Sequence, residues 1–275
     1  MSLLQGICIL NLALNLPGPA AARRLLGLGA EVIKIEPPSG DPMRIYHAQW
    51  YRDMAEGQTV MTLDLKAAED RRSLNELLGA ADLLITANRP AALARLGLDW
   101  ETVHREFPRL CQVAVIGYPP PRDNEPGHDL TYQASLGLIN PPHMPRTLLA
   151  DMAGAEQTVA AALALLLARE RGAGGGYQEV ALSEAAAAMA EPLRYGITAP
   201  GALLGGNIPE YNIYRTNDGW IAVAALEPHF KRRLEEALSV SNREEYQAAF
   251  LQRSSADWQQ WGESLDLPIE TLNGQ

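Results

Sequence analysis

The sequence predicts an α/β protein: a large domain on a Rossmann-like open parallel sheet, followed by a smaller α+β domain. Three observations carry this expectation. Short apolar runs bounded by turn residues alternate with helical segments from residue 7 to about residue 195. The first repeat, strand 7–12, helix 20–28 and strand 31–36, has the spacing of a βαβ unit, which requires a parallel pair and a right-handed crossover. A hairpin pattern and three amphipathic helices then occupy residues 211–263.

The elements follow in order. Residues 7–12 form an apolar run suited to a buried strand. Pro17-Gly18-Pro19 is a turn that opens a helix over 20–28, and Gly29 ends it. The loop before that helix has no GxGxxG, so the dinucleotide fingerprint is absent. Strands are expected at 59–65, 82–86 and 110–116, with helices at 67–78, 90–96 and 99–107, the last capped by Asp99. A proline-rich loop over 118–125 leads to a helix at 130–138, for which Asp129 is the expected cap. A second loop covers 140–146. The clearest helix runs over 152–171 to Gly172 and is apolar nearly all round, which predicts burial. A strand at 178–182 and a helix capped by Ser183 over 184–195 complete the large domain. Residues 201–209 read as a linker, so the domains are placed at 1–200 and 205–275. Strands 211–214 and 220–225 flank the turn Asn217-Asp218-Gly219, and helices are expected at 228–238, 244–252 and 256–263.

Composition bounds the function. The 275 residues are 47% hydrophobic and 20% charged, ordinary for a globular chain. The 33 acidic residues outweigh 23 Lys and Arg, for a net charge of −10, which argues against nucleic acid or an anionic membrane as partner. Cys8 and Cys111 each lie in an apolar strand-like run and are expected as reduced thiols. The N-terminus has no basic region or small-residue cleavage site, and the most apolar stretch, 158–168, is too short to span a bilayer. The expectation is a cytoplasmic protein. His47, His104, His143 and His229 lack metal-ligand spacing, so no metal is predicted. Trp50 and Tyr51 are expected to pack, and Asp64 to serve a structural role at a strand end.

Two stretches stand out chemically. Pro126-Gly127-His128-Asp129 puts an imidazole beside a carboxylate just after a turn. Leu149-Ala150-Asp151-Met152-Ala153-Gly154 puts a carboxylate where the long apolar helix begins. An imidazole and a carboxylate facing each other across a carbon acid can take and return a proton. Each residue also has an ordinary reading: Asp151 as a helix N-cap, and His128 as a surface loop residue.

These stretches resemble the class III CoA transferases, the family that includes the α-methylacyl-CoA racemases. The similarity is carried by Leu16-Pro17-Gly18-Pro19, 28–36 (LGAEVIKIE), 40–44 (GDPMR), 62–66 (TLDLK), Gly127-His128-Asp129, 150–154 (ADMAG), and Asp218-Gly219 through 226–230 (LEPHF), in that order. The resemblance implies an enzyme acting on acyl-CoA thioesters as substrates, with no permanently bound cofactor, working as a homodimer. Asp151 matches the family's reactive aspartate. His128 matches the racemases, and Glu227 matches a glutamate that approaches the catalytic histidine. The racemase reading makes His128 and Asp151 a proton-transferring pair. It would rest the enolate oxygen on the N–H groups at 151–153, with Gly154 leaving room. The alternative is a CoA transferase with Asp151 as nucleophile. Lys34, Arg44, Leu63, Lys66, Arg89, Gly127 and Asp129 are the positions the resemblance assigns to CoA.

Two departures raise a third reading, a family member that binds CoA weakly and has no activity. Pro37 stands where the family has Arg, and 55–59 reads Ala-Glu-Gly-Gln-Thr where the family has Asn-Arg-Gly-Lys-Arg. Each lost charge-assisted phosphate contact is worth roughly 1.5–3 kcal/mol. The family also continues with a segment returning to the large domain, so the small domain is expected to be incomplete here.

Overall fold

The computed structural model describes residues 2–272. The chain forms two compact units that divide after Ala190, before the 201–209 stretch in which the sequence placed the boundary.

The first unit is built on six strands: β1 (Cys8–Asn11), β2 (Glu31–Glu36), β3 (Thr59–Thr62), β4 (Leu83–Thr86), β5 (Cys111–Ile116) and β6 (Tyr177–Ala181). They pair in the order β3-β2-β1-β4-β5-β6, and every pair is parallel. The chain therefore winds toward one edge, returns to the centre and winds toward the other. The reversal between β1 and β4 is a topological switch point, where loops leaving adjacent strands diverge and open a crevice.

Side chains alternate between the two faces with period two. Ile9, Leu83, Ile85 and Val113 join Ala21, Leu25, Ala155 and Ala162 on one side, under the helices Pro17–Gly27 and Leu149–Ala168. Leu10, Ile35 and Leu84 face the other side with Leu74, Leu78, Leu93 and Val103, from helices Ala68–Ala80, Pro90–Leu96 and Trp100–Glu106. A parallel sheet covered on both faces is what near-continuous apolar strands require. Cys111 in this core and the partly buried Cys8 are free thiols, and burial raises the pKa of both.

Several boundaries differ from expectation. Pro17 and Pro19 belong to the first turn of helix Pro17–Gly27, where a missing N–H costs nothing. Gly18 is needed there: a Cβ on it would lie 2.1 Å from that of Ala13, so only glycine lets the helix meet the chain leaving β1. Strand β3 stops at Thr62, because Asp64 turns the chain by accepting the Lys66 N–H (3.0 Å). Two short helices, Met43–Tyr46 and Ala48–Ala55, were not foreseen; His47 caps the second through its Nδ1, which accepts the Trp50 N–H (3.1 Å). Trp50 and Tyr51 pack against Leu16, Met43 and Met54, as expected. Ser183 does not cap a helix; the helix is Leu182–Met189, with Ala181 in the cap position, and Glu191–Arg194 is a separate turn.

The long helix runs Leu149–Ala168 and ends in a π-type turn, Arg169–Ala173, with Gly172 at φ 93°. Its predicted burial holds for one face only. Ala150, Gly154, Ala155, Thr158 and Ala162 are small and lie against the unit, whereas Met152, Leu163 and Leu167 are 38%, 36% and 52% exposed. Small residues let the helix approach closely, and the bulky ones point away. The 25 residues Leu149–Ala173 exceed the stretch judged from sequence and are long and apolar enough, by length and composition alone, to cross a membrane. Their packing on β5 and β6 is that of a core helix.

The second unit carries an antiparallel sheet of β7 (Tyr211–Arg215), β8 (Trp220–Ala224) and β9 (Ile269–Thr271), in that order. The hairpin is as expected. Strand β9 was missed, since three residues carry no periodicity. Helices Pro228–Leu238, Arg243–Phe250 and Ser255–Ser264 pack Leu234, Tyr246, Phe250 and Trp258 on Tyr214, Ile221 and Val223. Asp218 in the hairpin turn accepts the Ser255 N–H (2.8 Å) and fixes the start of the last helix.

Substituting Gly18→Ala is expected to destabilise the first unit by about 1–3 kcal/mol, the usual cost of forcing a methyl into a filled space. Urea unfolding followed by fluorescence would measure it.

Candidate active site

A cleft of about 250 Å³ opens at the switch point. Leu14 and Asn15 reach it from the end of β1, Asn88 and Arg89 from the end of β4, and Gly117 from the end of β5. Its far wall is the segment from Glu125 to His128, with Tyr132 and Asp151. The structure therefore brings His128 and Asp151, 23 positions apart in sequence, to one cavity.

His128 is the N-cap residue of the short helix Asp129–Ser135. Its N–H donates to the Thr131 hydroxyl (3.1 Å), and its carbonyl accepts from that hydroxyl (2.8 Å) and from the Thr131 N–H (2.9 Å). The backbone is thus held locally while the exposed imidazole borders the cleft. The predicted cap role of Asp129 is corrected, because Asp129 lies one residue inside the helix. Its carboxylate is buried and serves a different helix: Oδ1 accepts the Asp151 N–H (3.1 Å), and Oδ2 accepts from Gln133 Nε2 (2.5 Å), which also donates to the Thr147 carbonyl (3.1 Å).

Asp151 is the third residue of helix Leu149–Ala168, so it is not the N-cap; Leu148 holds that position. Burial, followed by the nearby charge of Asp129, raises its pKa to about 6. The idea that the first N–H groups of this helix await an oxyanion is also corrected. The Asp151 N–H is taken by Asp129, and the Met152 N–H by the Leu148 carbonyl (3.0 Å). Gly154 makes room for Leu182, whose Cδ2 would lie 2.2 Å from an added Cβ, rather than for a ligand.

Sequence reasoning missed Tyr132. Its ring is 1% exposed, stands edge-on to Tyr118 (5.1 Å) and reaches the cleft with its hydroxyl end, which lies against Gly117 and Gly127. No pattern in the sequence marks an aromatic in the first turn of a short helix as a cleft residue.

The positions assigned to CoA divide. Arg89 is exposed and borders the cleft, and Gly127 forms part of its wall. Lys66 is exposed in the turn after β3. Leu63 is a core residue. Arg44 is half-exposed, pairs with Glu36 (2.8 Å) and donates to the Tyr51 hydroxyl (2.7 Å). Lys34 is corrected: it is 1% exposed, and its ammonium bonds Asp41 (2.5 Å) and faces Glu36 (3.7 Å), so it presents no charge to a ligand. The same Asp41 accepts the Asn15 N–H (3.0 Å) and holds this cleft residue at φ 64°. Glu227 belongs to the second unit, where it is exposed at the N-cap position of helix Pro228–Leu238.

A switch-point cleft with a histidine and a lifted aspartic acid defines an α/β protein with a candidate acid–base site. The chain belongs to CoA-transferase family III, whose sequence model matches residues 4–273. It is similar to a succinyl-CoA--D-citramalate CoA-transferase of Chloroflexus aurantiacus, at 28% identity over 86% of this chain and 64% of that protein. It is also similar to the human α-methylacyl-CoA racemase, at 29% identity over 88% of this chain and 66% of that protein. The matched region thus spans slightly less than two thirds of either relative. A crystal structure of the hypothetical protein Rv3272 from Mycobacterium tuberculosis superposes with a TM-score of 0.87 and 25% identity, covering 100% of this chain and 85% of that one.

Two outcomes are expected. For Asp151 the folded pKa is above the unfolded one, so between about 4 and about 6 the folded state binds more protons and stability falls as pH rises. Asp151→Asn should therefore stabilise the protein at pH 7, by about 1–2 kcal/mol, and this gain should vanish below about pH 4. Thermal melts across that range check it. Lys34→Met would leave the buried Asp41 carboxylate without its cation, while Glu36 keeps Arg44, and should cost about 3–5 kcal/mol, far more than loss of a ligand contact, as read by denaturant unfolding.

Proposed function

We propose that the protein moves the α-proton of an acyl-CoA thioester of the 2-methylacyl class, inverting that carbon. The observation that supports this reading is the shared cleft of His128 and Asp151, with the carboxyl of Asp151 raised to about 6. A carboxyl so raised can hold or release a proton near neutrality, where an ordinary aspartate is only a weak base. In the proposed step one of the pair takes the α-proton, and the C–H electron pair passes into the enolate. The other returns a proton to the opposite face of the carbon. Arg89 at the cleft is the cation proposed to meet a CoA phosphate, with Lys66, exposed in the turn after β3, as a second.

A second reading is CoA transfer, with the Asp151 carboxylate attacking the thioester carbon. Its support is the description of the family as CoA transferases and the similarity to the Chloroflexus enzyme. The two readings share the cleft and differ in which bond breaks: α-C–H in the first, C–S in the second.

In heavy water, a 2-methylacyl-CoA incubated with the protein should gain deuterium at the α-carbon, and His128→Ala or Asp151→Asn should slow this by about 100-fold or more. Mass spectrometry of the recovered thioester gives the rate. Absence of exchange, together with a hydroxylamine-sensitive adduct on Asp151, would replace this reading with the second.

A further inference from the structure

The cleft contains a hydroxyl that the His128–Asp151 pair does not use. Tyr132 is almost wholly enclosed, yet its hydroxyl has no hydrogen-bond partner among the described residues and reaches a cavity wall. It is not among the sealed unpaired side-chain atoms of the interior, which include Thr86 Oγ1 and Tyr246 Oη. Space is kept open around it. A Cβ on Gly117 would lie 2.6 Å from the hydroxyl oxygen, and one on Gly127 2.5 Å from it. Both glycines border the cleft and both have ordinary backbone angles, so close approach, not conformational freedom, is what calls for glycine there. The hydroxyl is therefore open to the cleft rather than sealed, held on a rigid ring and free to bond a molecule that enters.

We propose that the Tyr132 hydroxyl is a substrate-contacting group that donates a hydrogen bond to the carbonyl oxygen of the bound acyl thioester. This rests on the acyl-thioester reading of the cleft. It also supplies a donor that the Asp151 and Met152 N–H groups do not, since Asp129 and the Leu148 carbonyl already engage these two. As the α-proton leaves, negative charge grows on the thioester oxygen and the hydrogen bond from the phenol strengthens. The phenol keeps its own proton. Burial first, then the charges of Tyr118, Asp151 and Asp129, push its pKa up to about 12 against the opposing effect of Arg89. The other ionisable groups lining the cavity are Asp123, Glu125 and His128.

Tyr132→Phe removes only the unpartnered oxygen, so the thermal midpoint should not change. Exchange at the α-carbon should slow about 10- to 100-fold. Affinity for an acyl-CoA should drop, while affinity for an S-alkyl-CoA thioether, which lacks the carbonyl oxygen, should stay the same. Exchange within twofold of the unsubstituted protein, or equal losses for thioester and thioether, would overturn the proposal. If the unsubstituted protein shows no exchange, the proton-transfer reading fails by itself, and the affinity comparison still decides the role of Tyr132. A protein that does not prefer thioester to thioether before substitution also overturns it.

Discussion

The carboxylate of Asp129 is the contact on which the cleft depends. It is buried, fixed by Gln133, and bonded to the backbone N–H of Asp151. One anion thereby does three things. It satisfies an N–H of the first helical turn that would otherwise lack a partner, it ties the short helix carrying His128 to the long helix carrying Asp151, and it places a negative charge beside the Asp151 carboxyl. The geometry of the proposed pair thus traces to Asp129, and so does part of its acidity, burial being the larger cause of the raised Asp151 pKa.

A second buried charge cluster supports the opposite wall. Lys34, Glu36 and Asp41 are nearly inaccessible, with Arg44 and Tyr51 completing the set. Charges this deep are tolerable only when each is neutralised and hydrogen-bonded. Asp41 turns the arrangement to use by holding Asn15, a residue of the cleft, in a left-handed conformation that a side chain rarely adopts unaided. The cleft is therefore braced on both sides by carboxylates that do not themselves line it.

Much of this was legible in the sequence. The alternation of apolar runs and helical segments gave the parallel sheet, because strands buried on both faces have to be apolar throughout. The two stretches around His128 and Asp151 identified the cleft because unusual residues stood at turn and helix boundaries. What failed has a common physical cause. The roles of Asp129, Lys34 and Tyr132 depend on partners brought close only by the tertiary fold: Asp151 and Gln133 for the first, Asp41 and Glu36 for the second, Gly117 and Gly127 for the third. Local pattern made Asp129 a cap and the resemblance made Lys34 a CoA contact, since nothing nearby in sequence said otherwise. Strand β9 and the helices at 43–55 were too short for periodicity to register.

The exposed leucines and methionine of the long helix change what surface variation can do there. At Leu167, about half exposed, a polar replacement should cost little, whereas at Ala155 or Ala162, which are almost completely enclosed, even one added methylene has to displace the sheet beneath. Tolerance along this segment should therefore run against intuition: its largest, greasiest positions are the permissive ones, and its plain alanines the strict ones.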